Sequence, residues 1–302
     1  MSIKVEWDDV NATTEEYYVY RSTTPILDSA LPSPLATIPS GTKTYLDLAV
    51  SRNTMYYYRI GSKVGADINL SANKALAYVP YVGPGPQQII RGNWDLGYFG
   101  RIPINDLFVP LDLQQIFGLG GGVYAPTNTM YWLKFAYKGK VIYVASHPLV
   151  INITWQSLYL AGLVYGNLPE ASWPAYPKTT YGVVPQGKTL IRGQDQFVFR
   201  MPASRLVPGS TGSALADLIG GEYDALIMAA YGLTVNNFNP YRVDDVEGMG
   251  TSFTSEFTSA AGGACIVRGT SGVTNQDSQS SAAASSTINT TTGWRPVLEL
   301  VN

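Results

Sequence analysis

Residues 55–60 read Met-Tyr-Tyr-Tyr-Arg-Ile, and a period of two runs through them. Tyr56, Tyr58 and Ile60 share one face, and Met55, Tyr57 and Arg59 share the other. Such alternation predicts a strand, because successive side chains leave a strand on opposite sides. The same period places Ile3, Val5 and Trp7 opposite Lys4 and Glu6, and Tyr17 and Val19 opposite Tyr18 and Tyr20. Turn clusters at 39–43 (PSGTK) and 50–54 (VSRNT) separate these runs. Short alternating strands divided by such turns predict an all-β sandwich over residues 1–80.

Composition extends the expectation to the whole chain. With 21 Tyr, 30 Gly and 19 Pro in 302 residues, the chain favours strands and turns over helices. The predicted class is mainly β with one or two short helices. Lys plus Arg number 20 against 22 Asp plus Glu, a net charge of −2 with no basic stripe, so nucleic acid is not an expected partner. Cys265 is the only cysteine, which excludes an internal disulfide and a thiolate metal cage. The opening residues carry no apolar signal core, and no run of about 18 apolar residues occurs. The expectation is a protein made and kept soluble in a cytoplasm, without membrane insertion.

Pro80, Gly83, Pro84, Gly85 and Pro86 crowd one short stretch. That composition is stiff, so a linker is predicted at 81–88, between a domain at 1–80 and a second at 89–302. In the second, residues 131–146 (YWLKFAYKGKVIYVAS) predict a hairpin with Lys138-Gly139 at its tip. Residues 153–166 (ITWQSLYLAGLVYG) predict a helix capped by Thr154, with Trp155, Leu158, Leu160 and Leu163 as its apolar stripe. A second short helix is predicted at 212–221 (GSALADLIGG).

Four motifs invite chemistry and lack its setting. Residues 182–189 (GVVPQGKT) match a phosphate-loop pattern, yet no apolar strand precedes them and strand alternation follows, where a phosphate site needs a helix N-terminus. Residues 118–125 (GLGGGVYA) run into Pro126 and open no helix. His147 is the only histidine and sits beside Pro148 at a predicted strand end, a structural or solvated place. Asp244, Asp245 and Glu247 lack the alternating ligands of a calcium loop and read as a solvated acidic turn. No catalytic residue, metal or cofactor is therefore expected, and a surface-polysaccharide hydrolase has no residue set behind it.

Trp7 in an early strand, YYVYRSTTP at 17–25, and TYLD at 44–47 leading into NTMYYYRI resemble a fibronectin type III module. The resemblance gives Tyr56 the role of that family's corner tyrosine, whose hydroxyl ties down a loop between the sheets. It also exposes a departure, because the family has a strand before the Trp-bearing one and this chain begins almost on it. The missing strand would leave an open sheet edge, either docked on a neighbouring subunit or short and solvated.

Five later segments, taken in order, resemble a family of bacteriophage virion proteins. They are GNWDLGYFGRIPINDLF at 92–108, the long run at 131–166, VPQGKTLIRGQDQFVFRMPAS at 184–204, GTSFTSEFTSAAGGACIVRGTSG at 250–272, and GWRPVLELV at 293–301. In that family such segments close tail, baseplate, fibre or decoration proteins. The last two also resemble the end of a C-type-lectin-like fold, through Arg268-Gly269 and Gly293-Trp294-Arg295.

The resemblance implies a non-enzymatic virion protein, made in a bacterial cytoplasm and carried on the particle. Either it sits at the tail or tail tip and helps attachment to the host surface, or it decorates the capsid or collar without binding a receptor. Its partners would be other virion proteins, in a homo-oligomer or array, and a host-surface glycan. Trp173, Tyr176, Asn237, Phe238 and Tyr241 are the surface residues suited to stack on or bond a sugar, or else to plug the core. Residues 271–292 are polar and predict a long loop, exposed or ordered by a partner. The closing run predicts a strand tied into the core by Trp294, with Leu298 and Leu300 on the same face and Pro296 at an edge, a start or a bulge.

Overall fold

The computed structural model describes residues 1–9, 13–123, 130–204, 221–228, 251–257, 264–268, 281–284 and 289–301. It is mainly β, with antiparallel sheets and few helices. The chain divides into two units: residues 1–82 with 92–97 and 136–140, and residues 83–91 with 98–135 and 141–302. The division falls after Val82, and the Pro/Gly segment from Gly83 onwards belongs to the second unit.

In the first unit, β1 (Ile3–Glu6) pairs antiparallel with β4 (Thr44–Asp47) as a two-stranded sheet. The facing sheet runs β3 (Ala36–Pro39), β2 (Glu16–Ser22), β5 (Met55–Val64) and β6 (Asp67–Leu70), with β7 (Lys74–Ala77) also paired to β5. The alternation decides what lies between the sheets. Ile3, Val5, Tyr17, Val19, Tyr56, Tyr58 and Ile60 form one buried cluster, while Lys4 and Glu6 stay exposed. Each such apolar side chain taken out of water contributes about 1.5–3 kcal/mol. The Tyr56 hydroxyl accepts the Ser51 N–H at 3.0 Å, pinning the loop before β5.

Two larger sheets draw most of their residues from the second unit. One is built from β8 (Arg91–Gly92), β9 (Leu96–Pro103), β11 (Tyr131–Tyr137), β12 (Lys140–Ala145), β14 (Thr189–Arg192), β15 (Asp195–Arg200) and β20 (Val297–Val301). Its order is β14-β15-β20-β12-β11-β9-β8. The other contains β10 (Gly122–Val123), β13 (Val150–Ile153), β16 (Thr251–Phe257), β17 (Ala264–Arg268), β18 (Ser281–Ala284) and β19 (Asn289–Trp294). Its order is β10-β13-β19-β16-β17-β18. Short helices α1 (Ile104–Leu107), α2 (Pro110–Ile116), α3 (Trp155–Leu160) and α4 (Ala175–Tyr181) fill the connections, with one π-turn at Tyr223–Met228.

Local chemistry explains the sharper features. Lys138 and Gly139 both have positive φ, 49° and 80°, the tight two-residue turn whose twist suits a hairpin. Thr154 caps α3 by accepting the Ser157 N–H at 3.0 Å. Asn152 (φ 57°) marks a bulge where β13 slips against β19.

Three expectations need correction. Leu160 is half exposed, because α3 ends there and Tyr159 takes the buried place in its last turn. The closing run is not one strand. Trp294 ends β19 in one sheet, and after Arg295-Pro296 the chain enters β20 in the other. Proline cannot donate to a ladder, so the chain changes sheets where the ladder would break. The polar stretch 271–292 is not all loop, since β18 and the start of β19 lie inside it. Thr290, Thr291 and Thr292 are β-branched, which suits a strand, and Thr292 lies opposite Thr251 of β16 while Asn289 and Gly293, to either side of the three, lie opposite Ile153 and Ile151 of β13. The helix predicted at 212–221 falls, but for its last residue, outside the described residues.

Candidate functional site

Trp173 follows a tight turn at Glu170–Ser172, and Tyr176 lies in the first turn of α4. Trp173 is 9% exposed, its Nε1 donates to the Leu168 carbonyl at 2.8 Å, and its ring stacks on Tyr165 at 5.1 Å and 19°. This corrects its expected place as a surface platform. An indole whose single polar atom finds a backbone acceptor loses nothing by burial. Tyr176 is half-buried, with its hydroxyl 3.1 Å from that of Tyr181. Asn237, Phe238 and Tyr241 lie outside the described residues.

Trp173 belongs instead to an aromatic layer. Trp155 stacks on Tyr159 at 5.6 Å, Tyr159 meets Tyr165 edge-on at 6.2 Å, and Tyr181 lies 6.2 Å from Tyr159. The loop carrying the phosphate-loop pattern is fastened to this layer. Gln186 accepts the Val164 N–H at 2.9 Å and donates to the Tyr159 carbonyl at 3.0 Å, while Tyr159 donates to the Gly182 carbonyl at 2.7 Å. Strand β14 follows that loop, where the phosphate-loop pattern would need a helix. Only Tyr176 and Tyr181, at the outer end, present partly open ring surface.

The first unit offers a second feature. A cleft of about 370 Å³ runs beside β1, lined by Val5, Trp7, Tyr58, Ile60, Asn73 and Lys74. Trp7 meets Tyr17 edge-on at 5.3 Å, and its buried Nε1 has no hydrogen-bond acceptor among the described residues. A buried donor left in that state costs about 1–3 kcal/mol. Nearby, Asp47 is almost fully buried and collects three donors: Tyr58 Oη at 2.7 Å, Arg21 Nη1 at 2.8 Å and the Ala49 N–H at 3.0 Å. Burial, reinforced by the Asp47 carboxylate, pushes the Tyr58 hydroxyl far above its ordinary range.

The sequence reading missed Lys134. It stands mid-strand in β11 with no exposure, and its Nζ donates to the carbonyls of Pro84 at 3.0 Å and Pro86 at 2.6 Å, with Gly83 at 3.4 Å. Phe99 and Tyr143 flank the ammonium with their rings at 4.9 and 5.7 Å. Burial pulls its pKa down to about 8. A lysine inside Trp-Leu-Lys-Phe-Ala was the available signal, since buried lysines are rare without partners. Here it straps the Pro/Gly segment to the second unit.

Other charged pairs are also structural. Arg200 grips Glu222 with two bonds of 2.6 Å, and Arg268 pairs with Asp224 while lying over the Tyr223 ring. His147 is buried, its Nδ1 3.0 Å from the Ser146 hydroxyl, and Cys265 is buried in β17. Residues 243–248, with their three carboxylates, lie outside the described residues, and among those described no cluster of three or more His, Cys, Asp or Glu is placed to hold a metal. No helix among them is long and apolar enough to cross a membrane. Comparison with family models, with curated proteins and with solved structures finds no match to the chain.

Proposed function

We propose that the chain is a non-enzymatic bacteriophage virion protein, carried at the tail or tail tip, that helps the particle engage the host surface. One observation carries most weight. Of the five segments that resemble such proteins, four are neighbours in a single sheet. Residues 92–108 supply β9, 131–166 supply β11 and β12, 184–204 supply β14 and β15, and 293–301 supply β20. Segments widely spaced in sequence thus meet in one sheet. The partly open rings of Tyr176 and Tyr181 are surfaces on which a sugar face could stack.

A second reading is favoured by the sandwich. A particle-decorating protein needs subunit contacts rather than a receptor site, and the cleft beside β1 suits that role. Antibody labelling of purified particles, combined with adsorption of the full chain to susceptible cells, separates the two. Label at the tail end and saturable adsorption support the first reading. Label over the capsid without adsorption supports the second, and absence from purified particles overturns both.

A further inference from the structure

We propose that β1 is a self-recognition edge, pairing antiparallel with β1 of a second copy about a two-fold axis at Val5. This does not depend on the virion reading. Among the described residues β1 is hydrogen-bonded to β4 alone, with Ile3 opposite Asp47 and Val5 opposite Tyr45. The Trp7 N–H bonds the Lys43 carbonyl, which sets the phase of the ladder. In an antiparallel strand the backbone groups of alternate residues point the same way. Those of Ile3, Val5 and Trp7 therefore face β4, and those of Lys4 and Glu6 face outwards. The Lys74 side chain confirms the direction, for its Nζ reaches the outward Glu6 carbonyl at 3.2 Å. That exposed lysine can swing aside. Among the described residues no strand occupies this edge.

Charge selects both the occupant and the register. Outward residues must face outward residues, so an antiparallel pair of β1 strands has three central registers. A two-fold at Lys4 sets Lys4 against Lys4, and one at Glu6 sets Glu6 against Glu6. Like charges directly opposite are unfavourable. A two-fold at Val5 sets Lys4 against Glu6 of the second copy, twice, each pair exchanging two backbone bonds. Lys4 and Glu6 already form an ion pair on this exposed face, so the regrouping only shares that pair between copies. The Lys-Val-Glu order is its own complement when inverted. The same register brings Ile3 of the second copy beside Trp7, covering the cleft along β1.

The test is sedimentation velocity of the full chain at low salt, from micromolar to several hundred micromolar. The wild-type chain should show a concentration-dependent dimer that weakens as salt is added. Lys4→Glu makes both cross-strand pairs repulsive and should raise the dissociation constant about tenfold or more. The double reversal Lys4→Glu with Glu6→Lys restores opposite charges and should bring the constant back close to the wild-type value. Both positions are exposed, so circular dichroism should show unchanged folding. A chain that stays monomeric throughout overturns the proposal, whether or not some other strand fills the edge. A dimer that ignores Lys4→Glu, or one that the double reversal fails to rescue, overturns it as well.

Discussion

The first strand and the last strand of the protein are held in opposite ways. Among the described residues β1 has a partner on one side only, whereas β20 lies between β15 and β12 and is bonded along both edges. The difference is one of dependence. A central strand satisfies the backbone of its neighbours, so losing it orphans two further strands. An edge strand supports one neighbour and leaves a row of groups open to another chain. The closing segment therefore serves the integrity of its own unit, while the outer side of the opening segment is where the proposed self-pairing would act.

Removing residues 294–302 is the harshest way to test this contrast. It deletes β20 together with Trp294, Leu298 and Leu300, all buried, and exposes the edges of β15 and β12. The second unit should lose its cooperative thermal transition altogether. A truncated chain that melts like the intact one would contradict the central place of β20. By contrast Lys4→Glu, on the open side of β1, should leave the stability of the monomer within about 0.5 kcal/mol.

Both units hold a buried charge whose partners can be tested, Asp47 in the first and Lys134 in the second. In the first, Asp47 is matched by Arg21 and the Tyr58 hydroxyl, a cation and a neutral donor. Asp47→Ala leaves the Tyr58 hydroxyl and the Ala49 N–H without their acceptor and leaves Arg21 only the Ala49 carbonyl, and should destabilise the first unit by about 3 kcal/mol in denaturant unfolding. Asp47→Asn keeps a side-chain oxygen and should cost less. Equal losses for the two variants would show that packing, rather than the donor set, is what Asp47 supplies.

Where sequence sufficed, the signal was local. The alternation at 55–60 gave a strand and the face that joins the sandwich core, though Tyr57 and Arg59 on the other face are buried too, Thr154 gave a cap, and Lys138-Gly139 gave a turn. Where it failed, the deciding interaction was remote in sequence. Nothing near Trp173 announces that Tyr165 and the Leu168 carbonyl will receive its indole. The period of two continues smoothly through Trp294, Pro296 and Leu298, yet the chain changes sheets there, which depends on β13 and β12 lying on either side. Threonines at 290–292 have the polarity of a loop and the β-branching of a strand, and the pairing of Asn289 and Gly293 with β13 and of Thr292 with β16 settled the matter. Of the candidate ligand residues, only Tyr176 retains partly open surface among those described.

Lys134 gives the subtlest difference between the units, because its ammonium is met by backbone carbonyls instead of a carboxylate. Carbonyl dipoles compensate burial incompletely, so the charged form is disfavoured and the pKa falls to about 8, against about 10.4 for an unfolded lysine. The sign follows from proton binding. Between these values the unfolded chain holds the proton and the folded one releases it, so stability of the second unit rises with pH through this window. The gain should reach about 2 kcal/mol between pH 7 and 9.5. Tyr98, which burial pushes up to about 12, acts oppositely once unfolded tyrosines ionise near pH 10, so measurements belong below that point. Lys134→Met keeps the tyrosines and the length of the side chain while removing the titrating group. The difference between wild type and Lys134→Met in denaturant unfolding should therefore carry the gain, free of other titrations. Parallel pH profiles for the two proteins would show that the strap over Pro84 and Pro86 holds its lysine charged, and that both units neutralise buried cations equally well.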